Sequence, residues 1–261
     1  MTDEPRELAA QDIEWVVDLA ARRRQRIAGF APRFWRPAPD ARRVHSEWIG
    51  ELIRSPDVVS LRTDRGFAIA APNGNRLVVD DMAVDDAFWS TDGARLLGEV
   101  ARRGPLRVVC PVPEPLRRQA VSELGLSVVE TWWHRDLDPN PAPAESPLGD
   151  QPPVPAESLL GAEGVRLVPA PPIYAPGGPV LLVNAVASAA ALAELEQAAS
   201  RRGAVVAVVS QRPDAQHRDD QHRDDQPTAD RPTVDGSTAV LLRAAGYRPT
   251  TEFFERLASG T

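Results

Sequence analysis

Two adjacent carboxylates, Asp80 and Asp81, interrupt an otherwise apolar β-type run, RLVVDDMAV. A carboxylate on a strand beside a cleft is a general base able to take a proton from an attacking amine. Successive strand residues point to opposite faces, so a regular strand turns only one of the two toward a substrate. Nine residues further on, Ser90, Thr91, Gly93 and Ala94 precede a helical pattern. Hydroxyls, a glycine and the amides of a helix start are groups that receive phosphate oxygens. Asp92 would put a negative charge in the same place. The remaining reactive types are sparse: His45 and Glu47 on a helical stretch, His134 on a strand, and Cys110 at the end of an apolar run. A lone cysteine or histidine in such positions is ordinarily core.

The elements that must position these groups follow from periodicity. Asp12–Ala28 has a helical apolar stripe with Asp12 as its N-cap, and Ala41–Arg54 is a second helix, ended by Pro56. Val58–Thr63 and Gly66–Ala71 read as a hairpin turning at Asp64-Arg65. A second turn at Pro72–Asn75 leads into the Leu77–Val84 strand that carries both carboxylates. Thr91–Arg103 reads as a helix with Thr91 as N-cap and Gly104 just past its end. A strand at Leu106–Cys110, a helix at Pro115–Leu124 closed by Gly125, and a strand at Ser127–Leu137 complete the first half.

Composition removes whole chemistries. All 30 basic side chains are Arg; there is no Lys. A P-loop, a Schiff-base enzyme and a protein kinase each need a lysine. One Cys excludes an internal disulfide and a Cys-rich zinc site, and two of the four His, His217 and His222, lie in a polar repeat. No metal site is expected. The net charge of −7 gives no footprint for nucleic acid. No apolar run approaches the ~18 residues a membrane helix needs. A cytoplasmic protein without a membrane partner, monomeric or homodimeric, is expected.

Three segments recur. RLVVDDMAV matches VLLVNAVAS at Val180, ARRGPLRVVCP matches SRRGAVVAVVS at Ser200, and SELGLSVVETWWHRDL matches RAAGYRPTTEFFERL at Arg243. Asp80 falls on Asn184, Gly125 on Gly246, and Trp132-Trp133 on Phe253-Phe254. The ordered triple match reads as a duplication. The division expected is 1–137, a Pro-rich linker at 138–158, and a shortened second copy at 159–261. That copy carries a polar, disordered insertion at about 213–235, containing the tandem HRDDQ pentapeptide.

At VVDDMAV–DDAFWSTDGARLLGEV and SELGL the first half resembles the GNAT superfamily of N-acetyltransferases, over about residues 8–137 and, shortened, 164–257. The resemblance implies an α/β (α+β) fold: a mixed, mostly antiparallel sheet flanked by helices, present in two copies. It implies acetyl-CoA, or another acyl-CoA, as co-substrate, held between the Met82, Ala83, Val84 strand and the Ser90, Thr91, Gly93, Ala94 turn. It implies an amine acceptor, small molecule or peptide, deprotonated by Asp80 or Asp81. Of the family's Q/R-x-x-G-x-G/A loop, Phe88–Gly93 keeps only Gly93. The tyrosine that the family often places four residues before the glycine is Val121 here and Leu242 in the second copy. No tyrosine precedes Tyr174, which reads as an isolated turn aromatic. Without Lys, phosphate must be met by Arg or backbone amides: Arg95, Arg102 and Arg103 are the arginines on the helix after the loop. Two functions follow, an acyl-CoA-dependent N-acetyltransferase and a degenerate, non-catalytic binding or regulatory module on the same fold.

Overall fold

A computed structural model describes residues 4–138, 160, 164–212 and 237–256. The linker beyond Asp138 and the 213–235 insertion lie outside the described residues. Two compact units form. Unit 1 is Met1–Val129 with Pro169–Pro179 and Thr250–Thr261; unit 2 is Glu130–Val168 with Val180–Pro249.

Unit 1 is a sheet between two pairs of helices. Its strands are β1 (Arg6–Glu7), β2 (Val59–Arg62), β3 (Gly66–Asn73), β4 (Arg76–Val84) and β5 (Leu106–Pro111), followed by the final strand of the chain, β10 (Arg248–Glu255). Neighbours are antiparallel except β4 and β5. Period-2 alternation sorts β3 between the two faces. Phe67 and Ile69 pack under α1 (Ile13–Phe30) and α2 (Ala41–Arg54), whereas Ala68 and Ala70 pack under α3 (Ala94–Arg103) and α4 (Pro115–Glu123). The α3 side holds the larger core, with Leu96, Leu97, Val100, Val108, Ala120 and Val121 fully enclosed.

Two expected caps differ in detail. Asp12 ends a single 3-10 turn ahead of α1 and makes no capping bond to that helix. Its carboxylate instead accepts from the Ala9 amide, Arg6 and Arg62. Helix α3 begins at Ala94, after a wide π turn over Trp89–Gly93. Thr91 is therefore not its N-cap; the Thr91 hydroxyl bonds the Phe88 carbonyl and the Asp92 carboxylate. Gly104 caps the helix in an extended conformation.

Unit 2 has β6 (Ser127–Asp136), β7 (Val165–Val168), β8 (Val180–Val183) and β9 (Val206–Gln211) in the order β6-β9-β8-β7. Helices α5 (Ala189–Arg201) and α6 (Ser237–Ala244) belong to this unit, and its core includes Leu181, Val183, Leu192, Val209, Leu242 and Trp133.

The repeat and the compact units partition the chain differently, because the strands that end the two halves change places. In unit 1, Val79 pairs with Val108, and Val108 with Phe254. In unit 2, Val183 pairs with Val209, and Val209 with Trp133. Asp80 and Asn184, matched in sequence, each follow the first member of these triples. The same strand order recurs in both units, with the closing aromatic strand supplied by the other half; Ala207, the sequence match of Val108, pairs with Leu181 and Arg135, so the register in unit 2 is offset by two residues.

Candidate functional site

The carboxylate pair sits where β4 departs from regularity. Ala68 pairs with Met82 and Ala70 with Val79, so three residues of β3 face four of β4. This is a β-bulge, and it resets which face each side chain meets. Val79 and Met82 both enter the α3-side core, three residues apart. Asp80 and Asp81 lie between them. A regular strand would separate the two carboxylates; the bulge instead leaves both within electrostatic reach of Arg23 on α1 and His45 on α2.

Helix α2 orders the pair. Arg24 Nη1 lies 3.1 Å from His45 Nδ1, and His45 Nε2 lies 3.2 Å from Asp81 Oδ1. A guanidinium only donates, so Nδ1 accepts and the ring proton sits on Nε2, which donates to Asp81. Burial works to raise the Asp81 pKa, but the His45 hydrogen bond, with the Arg23 and Arg24 charges, brings it below the ordinary value. Asp80 is exposed. Partial desolvation of its carboxylate by the surrounding side chains, with the Asp81 charge alongside, raises its pKa despite Arg23 and Arg117. One carboxylate is thus held ionised and its neighbour is tuned to take a proton.

Three further groups join this cluster, two that sequence reading did not single out and one, Tyr174, that it read as an isolated turn aromatic. Arg23 makes a bidentate pair with Glu114, at 2.7 and 2.9 Å, both side chains about nine-tenths buried. Arg117, on α4, is fully buried. Pairing of β4 with β5 ends at Val79 and Val108. There the Arg117 guanidinium donates to the carbonyls of Met82 at 3.2 Å and of Val79 and Asp80 at 3.4 Å. The third is Tyr174. It is not an isolated aromatic: Pro169–Pro179 belongs to unit 1, where Tyr174 packs against Ile27, Ala31 and Trp35. Its signal was hidden because it lies far along the chain from every group it meets.

The expected acyl-CoA contacts are placed as follows. Met82, Ala83 and Val84 are buried. Ser90 and Thr91 are exposed, Ala94 is half-buried, and Gly93 is buried. A Cβ at Gly93 would lie 2.7 Å from Trp89 Cε3, so close packing on the Trp89 ring requires this glycine. No side chain caps the start of α3. In the second copy the Ser188 hydroxyl accepts from the Ala191 amide at 3.1 Å, so α5 closes its own amide end. Arg102 and Arg103, in the last turn of α3, pair with Glu99. On α1, Arg22 and Arg26, with Gln25, Leu19, Val84 and Asp85, line a cavity of about 440 Å³. Arg26 also reaches Asp86 at 3.1 Å, and Arg65 lies over the Phe88 ring at 4.9 Å.

Val121 and Leu242, where the family often has its tyrosine, are fully buried core residues. Burial pushes the Cys110 thiol up to about 11, with Glu114 and Glu252 adding to it against Arg117 and Arg23. It is a protonated core thiol and not a nucleophile. His134 is also core, in unit 2: burial, then the Arg248 charge, hold it down to about 4. Among the described residues no helix is long and apolar enough to cross a membrane, and no His, Cys, Asp and Glu group could hold a metal ion.

No family model matches the sequence, and no curated protein matches it. Solved structures do match in fold. A GCN5-related N-acetyltransferase from Sphaerobacter thermophilus superimposes with a TM-score of 0.54 at 14% identity, over 96% of this chain and 94% of that one. A putative acetyltransferase from Thermoplasma acidophilum superimposes with a TM-score of 0.52 at 14% identity, over 97% and 99%. These likenesses, over a mixed sheet flanked by helices, show that the chain has the fold of the GCN5-related N-acetyltransferases.

Proposed function

We propose that the protein is an acyl-CoA-dependent N-acetyltransferase acting on an amine. The observation that carries this reading is the bulge-borne pair: Asp81 pinned ionised by His45, and Asp80 raised and open to water beside it. In this reading the amine nitrogen attacks the thioester carbonyl, the N–C bond forms and the C–S bond breaks. Asp81 stays charged and holds the incoming ammonium group in place. Asp80 takes a first proton from that group, directly or through one water, and frees the nitrogen lone pair for the attack; the second proton is released to solvent once the N–C bond has formed. The departing thiolate is protonated from solvent or from Asp80, since the family's tyrosine position is filled by core Val121. Acyl-CoA lies along Met82–Val84 and the Trp89–Gly93 turn, and Arg22 and Arg26 supply the positive charge that the loop lacks. The acceptor is a small-molecule or peptide amine. A net charge of −7 and a cytoplasmic setting complete the proposal, with no nucleic-acid or membrane partner.

Calorimetric titration with acetyl-CoA, followed by thiol release in the presence of primary amines, tests this. Saturable heat and amine-dependent thiol release are expected; no heat at millimolar acetyl-CoA overturns it.

A second reading, a non-catalytic binding module, is favoured by one feature. Arg117 takes up β4 carbonyls at and just beyond the last β4–β5 pair, including that of Met82, where the family resemblance places acyl-CoA. It predicts that Asp80→Asn with Asp81→Asn leaves the cellular role intact.

A further inference from the structure

PPIYAPGG stands in the second half, just ahead of Val180 where that half's first matched segment begins, and no matched segment of the repeat includes it. In the folded chain it is part of unit 1. The segment is tied down by backbone bonds on both sides of Tyr174. The Ala38 amide donates to the Ile173 carbonyl at 3.0 Å, and the Ala175 amide donates to the Arg36 carbonyl at 2.8 Å. Pro37 and Tyr174 form an antiparallel bridge, and the Tyr174 amide closes a turn onto the Pro171 carbonyl at 2.8 Å. The Tyr174 ring then joins the small aromatic cluster at the end of α1, with Ile27, Ala31 and Trp35 at its centre and Phe30 and Phe34 beside it. Its hydroxyl is within electrostatic reach of Arg23 and Arg24 on α1 and of Asp80 and Asp81 on β4.

This placement joins two kinds of surface at one point: a carboxylate pair, with Asp80 open to water, and an aromatic group that is only half-buried at Tyr174. A carboxylate pair takes the charge of an ammonium group. An aromatic face takes both the apolar stem that carries it and, through its quadrupole, part of the same charge. The α1 arginines face the pair but are shared with other partners: Arg23 is bound to Glu114, and Arg24 donates to His45 behind Asp81.

We propose that Pro169–Pro179 is the acceptor-side wall of the unit 1 site, and that Tyr174 presents its ring and hydroxyl to a primary amine on an apolar or aromatic stem while Asp80 and Asp81 hold its ammonium group. The proposal rests on the acetyltransferase reading for its reaction, but not for its binding event. A segment of the second half is then a working part of the first copy's site, supplying the tyrosine that residues 1–137 lack. The phenol stays protonated throughout: burial, with Asp80 and Asp81 outweighing Arg23 and Arg24, raises its pKa to about 12.

The chain has two tyrosines, Tyr174 and Tyr247, so protein labelled with ¹³C at tyrosine Cζ gives two resonances, which Tyr247→Phe assigns. The probe is phenethylamine, titrated into the full-length protein without acetyl-CoA. It is expected to shift the Tyr174 resonance saturably and leave Tyr247 in place. Asp80→Asn with Asp81→Asn is expected to abolish the shift and to move the Tyr174 titration toward that of a free phenol. Tyr174→Ala, followed by calorimetry, should weaken phenethylamine binding about tenfold, while the acetyl-CoA heat stays unchanged. Tyr174→Phe keeps the ring and the packing, and should weaken binding about twofold to threefold.

A Tyr174 resonance indifferent to phenethylamine, or a phenol titration unmoved by the double asparagine variant, overturns the proposal. Absence of acetyl-CoA heat in the wild type overturns the acetyltransferase reading instead, and leaves the resonance experiment to decide on Tyr174.

Discussion

Neighbouring carboxylates on one strand acquire different work from their surroundings. Asp81 is locked to His45, so Asp81→Asn loses a charged hydrogen-bond acceptor as well as a charge. Asp80 has the raised pKa that suits a base, and rate should climb as pH rises through it. Asp80→Asn is expected to lower kcat by about 10²–10⁴-fold with little change in the acetyl-CoA KM, checked by steady-state thiol release. Gly93→Ala brings a methyl group against the Trp89 ring; it is expected to cost about 1–3 kcal/mol, read as a lowered Tm. His134 sets a pH limit on stability. Its folded pKa, about 4, lies below the unfolded value of 6.5. Above pH 6.5 the ring is neutral in both states and the contribution is fully retained. As pH falls from 6.5 toward 4, the unfolded chain binds a proton that the folded one refuses, and stability falls by on the order of 3 kcal/mol. Urea unfolding at pH 7 and pH 4.5 checks this against His134→Gln, which should flatten the dependence.

Elements decide which of these residues meet. The β4 bulge is the instance with most consequence for the site, since it turns an alternating pair into a pair that shares neighbours. Nothing in RLVVDDMAV marks it, because a bulge is a property of two strands in register. Arg117 acts at the same scale: from α4 it satisfies three carbonyls on β4 that would otherwise be left without β5. Arg117→Met keeps the bulk and removes the donors. It is expected to destabilise the protein by about 3–5 kcal/mol, and thermal unfolding in the presence and absence of acetyl-CoA reports both the loss and any opening of the cofactor path. Helix boundaries were legible where punctuation is local, as at Pro115 and Gly125 on α4. They were less so at α3, whose π turn depends on Trp89 seating against Gly93.

At the scale of the whole chain, the exchange of β6 and β10 makes each unit depend on the other half. Residues 1–137 alone lack β10, the partner of β5, and residues 159–261 alone lack β6, the partner of β9. Each fragment would expose an apolar strand edge, the usual template for aggregation. Each expressed alone is therefore expected to be insoluble, whereas cleavage at a protease site placed between residues 138 and 160 should leave the two pieces bound together on gel filtration. Separate, soluble, well-folded halves would contradict the exchange.

What the chain determined by itself is local and periodic. The order of helices and strands, the three recurring segments, the carboxylate pair, and the missing Lys and early Tyr all stand in linear sequence. Side-chain periodicity and turn residues act over a few positions, so they leave a readable trace. The tertiary structure alone decided which half closes which sheet, that Asp80 and Asp81 share neighbours, that Arg117 answers the carbonyls of β4, and that Tyr174 joins unit 1. Each of these joins residues far apart in the chain. Such pairings are chosen by packing and by the need to satisfy buried polar groups, and neither leaves a mark on the residues nearby.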